Sequence, residues 1–449
     1  MLFELLLEAA AAAPQQPALI TLDREQSYGE LAARAERIAH GLKQRGIERF
    51  GTSLESPIDV VAVAAAAAGA GAEVCLYPRD LGGETLEGIA GRFDHRVVVD
   101  DEGSMGLSLG ELEVTSADGE LTPSDAAPLL ILTTGTTGAQ KGARHDWSRL
   151  ANAVRTPDEQ PGTRWLLAYN VNQFAGIQIL LHVVVSKGTL VVPASRRADD
   201  VIDAIREHHV THASATPTFW RLIVGRLSQT PDTALGLEQI TLGGEATPDG
   251  LIERLAELFP DARISHVYAG TEFGSVVSVR DGRSGMPLSV LERSSDAPAQ
   301  LRIVDGELQI RSRVGMLGYH EAQDNDEDWR PTGDLVEVRG DRIHFVGRTS
   351  EIINVGGAKI HPLPIEELVC KLEGVQIAAV YGRPNAVTGQ IVALDVVADA
   401  GADCKELEQR IRAACQALPA AGRPRRIRFV EELELKGNKL MRRGAETAA

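Results

Sequence analysis

Cysteine is scarce: Cys75, Cys370, Cys404 and Cys415 are the four in 449 residues, and no two form a CxxC pair. That spacing implies neither a zinc site nor a disulfide framework, so reduced thiols in a cytoplasmic protein are expected. Positive charge is in deficit as well. Forty-six Lys and Arg against 63 Asp and Glu leave a net charge of −17, which argues against nucleic acid as a bulk partner but leaves room for a local basic nucleotide site. No apolar run is long enough to span a bilayer, and no membrane partner is expected. The Ala- and Gly-rich stretch from Val60 to Ala72 is too short and too weakly apolar to do so, and reads as a closely packed buried helix. The first residues, MLFELLLEAAAAAPQQ, carry Glu4 and Glu8 and no basic segment, so they are not expected to be a signal peptide. Leu2, Leu5 and Leu6 suit an amphipathic helix docked on the body. There is no internal repeat and no low-complexity tail.

What is present is a soluble globular composition in a chain too long for one ordinary core, so at least two domains are expected. Ser27-Tyr-Gly-Glu30 is a capping box that opens a helix over Leu31–Gln44. Strand-like Pro17–Leu22, Val74–Tyr77, Arg96–Val99, Trp165–Ala168, Thr189–Val192 and Val210–Ala215 alternate with helical stretches at Gly176–Val185 and Asp199–Glu207. Such alternation predicts an α/β fold of layered subdomains with largely parallel sheets. From Gln300 to Phe345 short alternating strands with Asp-Gly turns predict a small barrel or antiparallel sheet. The polar, glycine-rich segment Gly347–Gly357 reads as an interdomain hinge. Beyond it, helices at Ile365–Leu372 and Cys404–Ala417 and strands at Ile377–Tyr381, Ile391–Val397 and Arg426–Val430 make a compact α+β unit of about a hundred residues. The domain reading is therefore 1–346 and 347–449, with the hinge at about 347–351.

One stretch organises the chain: Thr133-Thr-Gly-Thr-Thr-Gly-Ala-Gln-Lys-Gly142, directly after the apolar strand Leu129–Leu132. Thr133, Thr134, Gly135, Thr136, Thr137 and Gly138 put four hydroxyls and two glycines in six positions, and Lys141 follows. Backbone N–H groups, hydroxyls and an ammonium of this kind can wrap a polyphosphate. It is not a Walker loop, which would need glycine at Gln140 and Ser or Thr at Gly142.

This loop resembles the phosphate-binding signature of the acyl-adenylate-forming superfamily, which comprises acyl- and aryl-CoA synthetases, adenylation domains and luciferases. Only the proline of that signature is replaced, by Gln140. Four further stretches resemble family motifs in family order. His266-Val-Tyr-Ala-Gly-Thr-Glu272 resembles the motif in which an aromatic ring lies against adenine, a threonine meets the α-phosphate and a glutamate helps hold Mg2+. The resemblance puts those roles on Tyr268, Thr271 and Glu272, with Ala269 where the family has glycine and Gly270 following. A hard cation suits a carboxylate oxygen shared with phosphate oxygens. Leu242-Gly-Gly-Glu245 is similar to the loop whose backbone borders adenine and the acyl pocket, so Gly243, Gly244 and Glu245 are nucleotide-site candidates and Gly243 also an acyl-pocket one. Trp329-Arg-Pro-Thr-Gly-Asp334 resembles the motif whose aspartate accepts both ribose hydroxyls, and thirteen positions separate Asp334 from Gly347. The resemblance then puts Arg348 against ribose or phosphate and Ser350 at the pivot. Gly356 and Gly357 match the glycines of the thiol tunnel. Lys436-Gly-Asn-Lys-Leu-Met-Arg-Arg443 resembles the C-terminal motif, with Asn438 in place of glycine and Lys439 as the adenylation lysine.

The resemblance implies a large N-terminal domain of layered α/β subdomains with a small β-barrel, shorter than usual before the phosphate loop, and a small mobile C-terminal α+β domain. It implies an enzyme that activates a carboxylic acid with ATP and Mg2+ to an acyl-adenylate, with Thr271, Glu272 and Lys439 catalytic. Acyl transfer to a thiol, CoA or the phosphopantetheine of an acyl carrier protein, follows, and a homodimer is compatible. For the acyl pocket the resemblance points to Gln173, Phe174 and Gly176, with Gln173 where many acyl- and aryl-CoA ligases have histidine. Trp220 reads as core. Two other readings stay open: an amide ligase with an amine acceptor, and a non-catalytic nucleotide-binding protein.

Overall fold

The computed structural model describes residues 2–115, 121, 123–124, 128–134, 140–152, 154, 162–229, 235–320, 328–436 and 439–442. Its first layer is helical. Leu2–Ala12 forms a helix that buries Leu2, Phe3, Leu6 and Ala9, a stripe at helical spacing. Tyr28–Gln44 starts at Ser27 with the expected reciprocal cap: the Ser27 hydroxyl accepts the Glu30 N–H, and the Glu30 carboxylate accepts the Ser27 N–H. Pro57–Ala70 is buried on nearly every side. Its small residues allow that, since a Cβ on Gly69 would stand 2.8 Å from the Phe3 ring.

One continuous core joins these helices to the helix Phe174–Ser186 and to strands of two large sheets. The seven-stranded sheet pairs Glu73–Leu76 in parallel with Arg49–Ser53 and Pro128–Thr134, and ends in antiparallel Gln140–Asp146 and Gly318–Tyr319. The eight-stranded sheet runs parallel through Pro17–Ile20, Thr189–Val191, Arg164–Leu167, His212–Ala215, Gln239–Gly243 and Arg263–Gly270. Its edges, Glu25–Ser27 and Gly274–Val279, are antiparallel. Helices Ala198–Glu207, Pro217–Gln229 and Asp249–Leu258 cover its other face, and Trp220 lies fully buried there with its indole N–H donating to the Thr241 carbonyl at 3.3 Å. Because parallel strands all end on the same side, their C-terminal loops gather at one rim, where ligands bind in open α/β sheets.

Met286–Pro287, Ala299–Val304, Glu307–Ser312, Arg330–Arg339 and Arg342–Arg348 form a five-stranded antiparallel sheet, and the chain then enters a unit with its own core of Val369, Val380, Val392, Leu394 and Ile411. Two local expectations change. The phosphate stretch is not a strand followed by an open loop: Pro128–Thr134 and Gln140–Asp146 pair as a hairpin, with Thr133 opposite Lys141 and Thr134 opposite Gln140. Gly135, Thr136, Thr137 and Gly138 lie outside the described residues, as do Asn438 and Arg443. The segment 347–357 is not loose throughout. Ile353–Val355 and Ala358–Ile360 form a second hairpin, because Gly356 and Gly357 take positive φ (59° and 90°) between two apolar-alternating runs. Irregular backbone is confined to the 3₁₀ turn Thr349–Glu351 and Ile352. No helix among the described residues is long and apolar enough to cross a membrane.

Candidate active site

A cavity of about 2520 Å³ opens at the rim of the eight-stranded sheet and is bounded on one side by the C-terminal unit. Strand ends supply its walls. The strand Arg263–Gly270 slips register between Tyr268 and Ala269, a bulge that re-aims the residues leading into Thr271 and Glu272. Thr133, Lys141, Ala269, Gly270, Thr271 and Glu272 all line the cavity. Glu272 is tied to the phosphate hairpin through an unforeseen residue. The Tyr319 hydroxyl donates to Glu272 Oε1 at 3.2 Å, and Lys141 Nζ lies 4.9 Å from the centre of the Tyr319 ring. Tyr319 reaches that place because Gly318–Tyr319 pairs with Ala143 and Arg144 of the hairpin strand.

The spacing of the Asp334 and Arg348 motifs has a direct cause. Arg330–Arg339 and Arg342–Arg348 form one hairpin turning at Gly340 (φ 61°), and Asp334 faces Arg348 across it. Arg348 Nε lies 3.1 Å from Asp334 Oδ1. The Tyr268 hydroxyl donates to Asp334 Oδ2 at 2.7 Å, while its ring packs on Phe345 with centroids 5.0 Å apart. Burial pushes the Asp334 carboxyl above its ordinary range, against the pull of Arg348, Tyr268 and Lys439; burial likewise raises Tyr268. Both carboxylate oxygens thus have partners in the chain, and each keeps a lone pair that can accept a further hydroxyl.

The C-terminal hairpin Leu435–Lys436/Lys439–Leu440 enters the cavity from the other side. Lys439 lies against Gly244: a Cβ there would stand 3.0 Å from Lys439 Cε and 3.5 Å from Nζ. Gly244 takes φ 84°, so glycine is required twice over. Glu245 holds the hairpin to the body. Its Oε1 accepts the Leu440 N–H at 2.9 Å and its Oε2 accepts the Thr218 N–H at 2.9 Å. Arg442 holds the same hairpin to the C-terminal unit, with 2.8 Å bonds to both oxygens of Glu366 and one of 2.7 Å to Glu351. These carboxylates raise Arg442 against its burial.

Two groups of expected residues stand elsewhere. Gly356 and Gly357 are exposed at the tip of their hairpin and do not line the cavity. Gln173 and Phe174 line it, but Gly176 does not. Gly176 sits in the first turn of the helix Phe174–Ser186, where any Cβ would meet the Asn170 carbonyl at 2.1 Å, so it is a packing glycine rather than a pocket wall. Beside Phe174 stands His145, fully buried and with ring centroids 5.8 Å apart. Neither of its nitrogens has a well-formed hydrogen bond among the described residues, and the Thr271 backbone faces the ring. Burial pushes its pKa down to about 4.

A family model described as AMP-binding enzyme matches residues 6–320, and one described as AMP-binding enzyme C-terminal domain matches residues 364–439. The 2-succinylbenzoate–CoA ligase of Bacillus pumilus is 26% identical over 478 residues, covering 97% of this chain and 96% of its own. Among solved structures, the anthranilate CoA ligase AuaEII with anthranoyl-AMP has a TM-score of 0.83 at 21% identity, over 98% of this chain and 95% of that one. The Bacillus subtilis o-succinylbenzoate coenzyme A synthetase with ATP and a magnesium ion has a TM-score of 0.75 at 23% identity, over 98% of each.

Proposed function

The chain belongs to the AMP-binding enzyme family, and on that premise we propose that it joins a carboxylic acid to a thiol in two ATP-dependent half-reactions. In the first, a carboxylate oxygen attacks the α-phosphorus as the α–β bridging P–O bond breaks, giving acyl-adenylate and pyrophosphate. In the second, a thiolate attacks the acyl carbon and AMP leaves. CoA is the acceptor favoured by the B. pumilus relative. The cytoplasm suits the four unpaired thiols.

The observation that carries this reading is a convergence. Lys439 lies beside Gly244 in the same cavity as Thr271, Glu272, Asp334 and Lys141, although about three hundred positions separate the first lysine from the last. Attack of one anion on another needs charge neutralisation and fixed geometry more than covalent help. Lys141 beside the hairpin tip serves the triphosphate, and Lys439 the α-phosphate and incoming carboxylate. Asp334 accepts the ribose hydroxyls, with Tyr268 and Arg348 holding its carboxylate in place. The Glu272 carboxylate, bonded to Tyr319 on whose ring Lys141 rests, is the group that would hold Mg2+, a hard cation suited to carboxylate oxygen. Mg2+ supplies further charge neutralisation on the triphosphate when bound.

The thiol step needs a different arrangement, because Gly356 and Gly357 do not line the cavity that Lys439 lines. Rotation about residues 347–351 would break the Glu245–Leu440 bond, keep the Arg442–Glu366 pair within the C-terminal unit, and exchange one hairpin for the other. Two measurements test the proposal: ATP–pyrophosphate exchange over a panel of acids, then AMP and thioester formation on adding CoA. Exchange without thioester but with amide formation from amino acids would establish the amide ligase. ATP binding without exchange for any acid would establish a non-catalytic nucleotide binder.

A further inference from the structure

The strands that end at the cavity have two unlike faces. On one, Leu166, Ala213, Ala215, Ile240 and Leu242 pack into an apolar core against three helices. On the other, the alternate residues Trp165, His212, Ser214, Gln239, Thr241 and Ser265 line the cavity. A sheet face roofed by a helix in an α/β protein is ordinarily apolar. Here the roof is polar too: Gln178, His182 and Ser186 follow Phe174 at four-residue steps along the helix Phe174–Ser186 and line the same space. From Gly243 at the reaction centre to Gln239 the channel follows the strand for about 13 Å.

Its polar groups are arranged but not used up. Gln239 Nε2 donates to Thr241 Oγ1 at 3.2 Å and to Ser265 Oγ at 3.0 Å, making a ladder across two strands. Trp165 is flanked by His182 (centroids 5.7 Å apart, 16° between planes) and His212 (4.8 Å). The His182 imidazole makes no hydrogen bond among the described residues, and burial pushes both histidines down to about 4, so both are uncharged at neutral pH. The charged side chain on this face, Arg263, is exposed at the outer end of the channel. Polar groups taken from water without full partners are costly, and a ligand that partners them removes that cost.

We infer that this channel takes the non-reacting part of the acid, and that the acid is elongated, uncharged beyond its carboxylate, and bears hydroxyl or amide groups. The inference rests on the adenylation reading above. A plain alkanoate or benzoate would cover this face while giving no partner to the Gln239 side-chain carbonyl or to His182, the situation in which polar sites reject analogues most strongly.

The test is ATP–pyrophosphate exchange by the whole chain with octanoate, N-butanoyl-β-alanine (the same eight-atom chain with one internal amide), benzoate and 2-succinylbenzoate. The amide-bearing acid is expected to exceed each of the others in kcat/KM by at least about 100-fold. Thr241→Val, nearly isosteric, and His182→Leu, on the opposite wall, should each narrow the amide-to-octanoate ratio by about tenfold, the worth of one hydrogen bond. Preference for octanoate, benzoate or 2-succinylbenzoate, or a ratio that neither variant moves, overturns the inference while leaving adenylation standing. Failure of every acid to support exchange overturns the adenylation reading and this inference together.

Discussion

Removing the Glu245 side chain should separate the two half-reactions, and the structure gives the size of the effect. Glu245→Ala deletes one bond to Leu440 N–H, which exists while Lys439 is in the cavity, and one to Thr218 N–H at the start of the helix Pro217–Gln229. The first bond crosses between body and C-terminal hairpin, so its loss changes the balance between domain orientations rather than the fold of either part. A carboxylate–amide bond is worth about 1.5–3 kcal/mol when buried, and Glu245 is partly exposed, so about 1.5 kcal/mol is the appropriate figure. That is about a tenfold fall in the rate of acyl-adenylate formation. The second bond caps a helix, and its loss should lower stability by about 1 kcal/mol, read as a small drop in melting temperature. The assay pairs ATP–pyrophosphate exchange with thioester formation from synthetic acyl-adenylate and CoA. Exchange should fall about tenfold while the thioester step holds or accelerates, because the released hairpin is free to rotate out. Equal loss in both assays would refute the latch and make Glu245 an ordinary structural carboxylate.

Other variants test other parts of the site. Gly244→Ala must place a methyl 3.0 Å from Lys439 Cε at a backbone φ of 84°, so exchange should fall more than tenfold, on the order of 2 kcal/mol from strain and displacement, and near-normal exchange would contradict the packing. Arg442→Met leaves the carboxylates of Glu366 and Glu351 without their cation, and unfolding of the C-terminal unit should come about 3 kcal/mol sooner by denaturant titration. His145 is neutral in the fold, its pKa lowered from 6.5 to about 4, so its contribution is complete above about 6.5 and is lost as pH falls from there toward 4. The loss amounts to about 3 kcal/mol by pH 4, and His145→Gln, which cannot titrate, should flatten melting temperature against pH over that window.

The elements that local chemistry specifies were readable in the chain. The Ser27–Glu30 cap, the small-residue helix Pro57–Ala70 and the strand–helix alternation each follow from a few neighbouring residues. The spacing of Asp334 and Arg348 was legible too, and the hairpin that opposes them gives its physical reason, since it imposes a fixed count between opposed positions. What sequence could not yield were partners decided by tertiary approach. Tyr319 reads as one aromatic among six tyrosines until the hairpin edge sets it between Lys141 and Glu272. Glu245 resembles a loop residue near adenine, and its bond to Leu440 spans 195 positions. Gly176 was read as a pocket wall because a glycine motif does not say whether space or close packing demands it; the Asn170 carbonyl supplies the answer. The polar face of Gln239, Thr241 and Ser265 gave no signal either, because alternating polar residues also mark a solvent-facing strand.

The most direct measurement of the central claim is Lys439→Ala assayed in both half-reactions. Pyrophosphate release from ATP and acid should be nearly abolished, while thioester formation from preformed acyl-adenylate and CoA should persist, because the proposed rotation takes Lys439 out of the cavity before that step. Equal loss of both would contradict the assignment of Lys439 and the two-orientation cycle built on it.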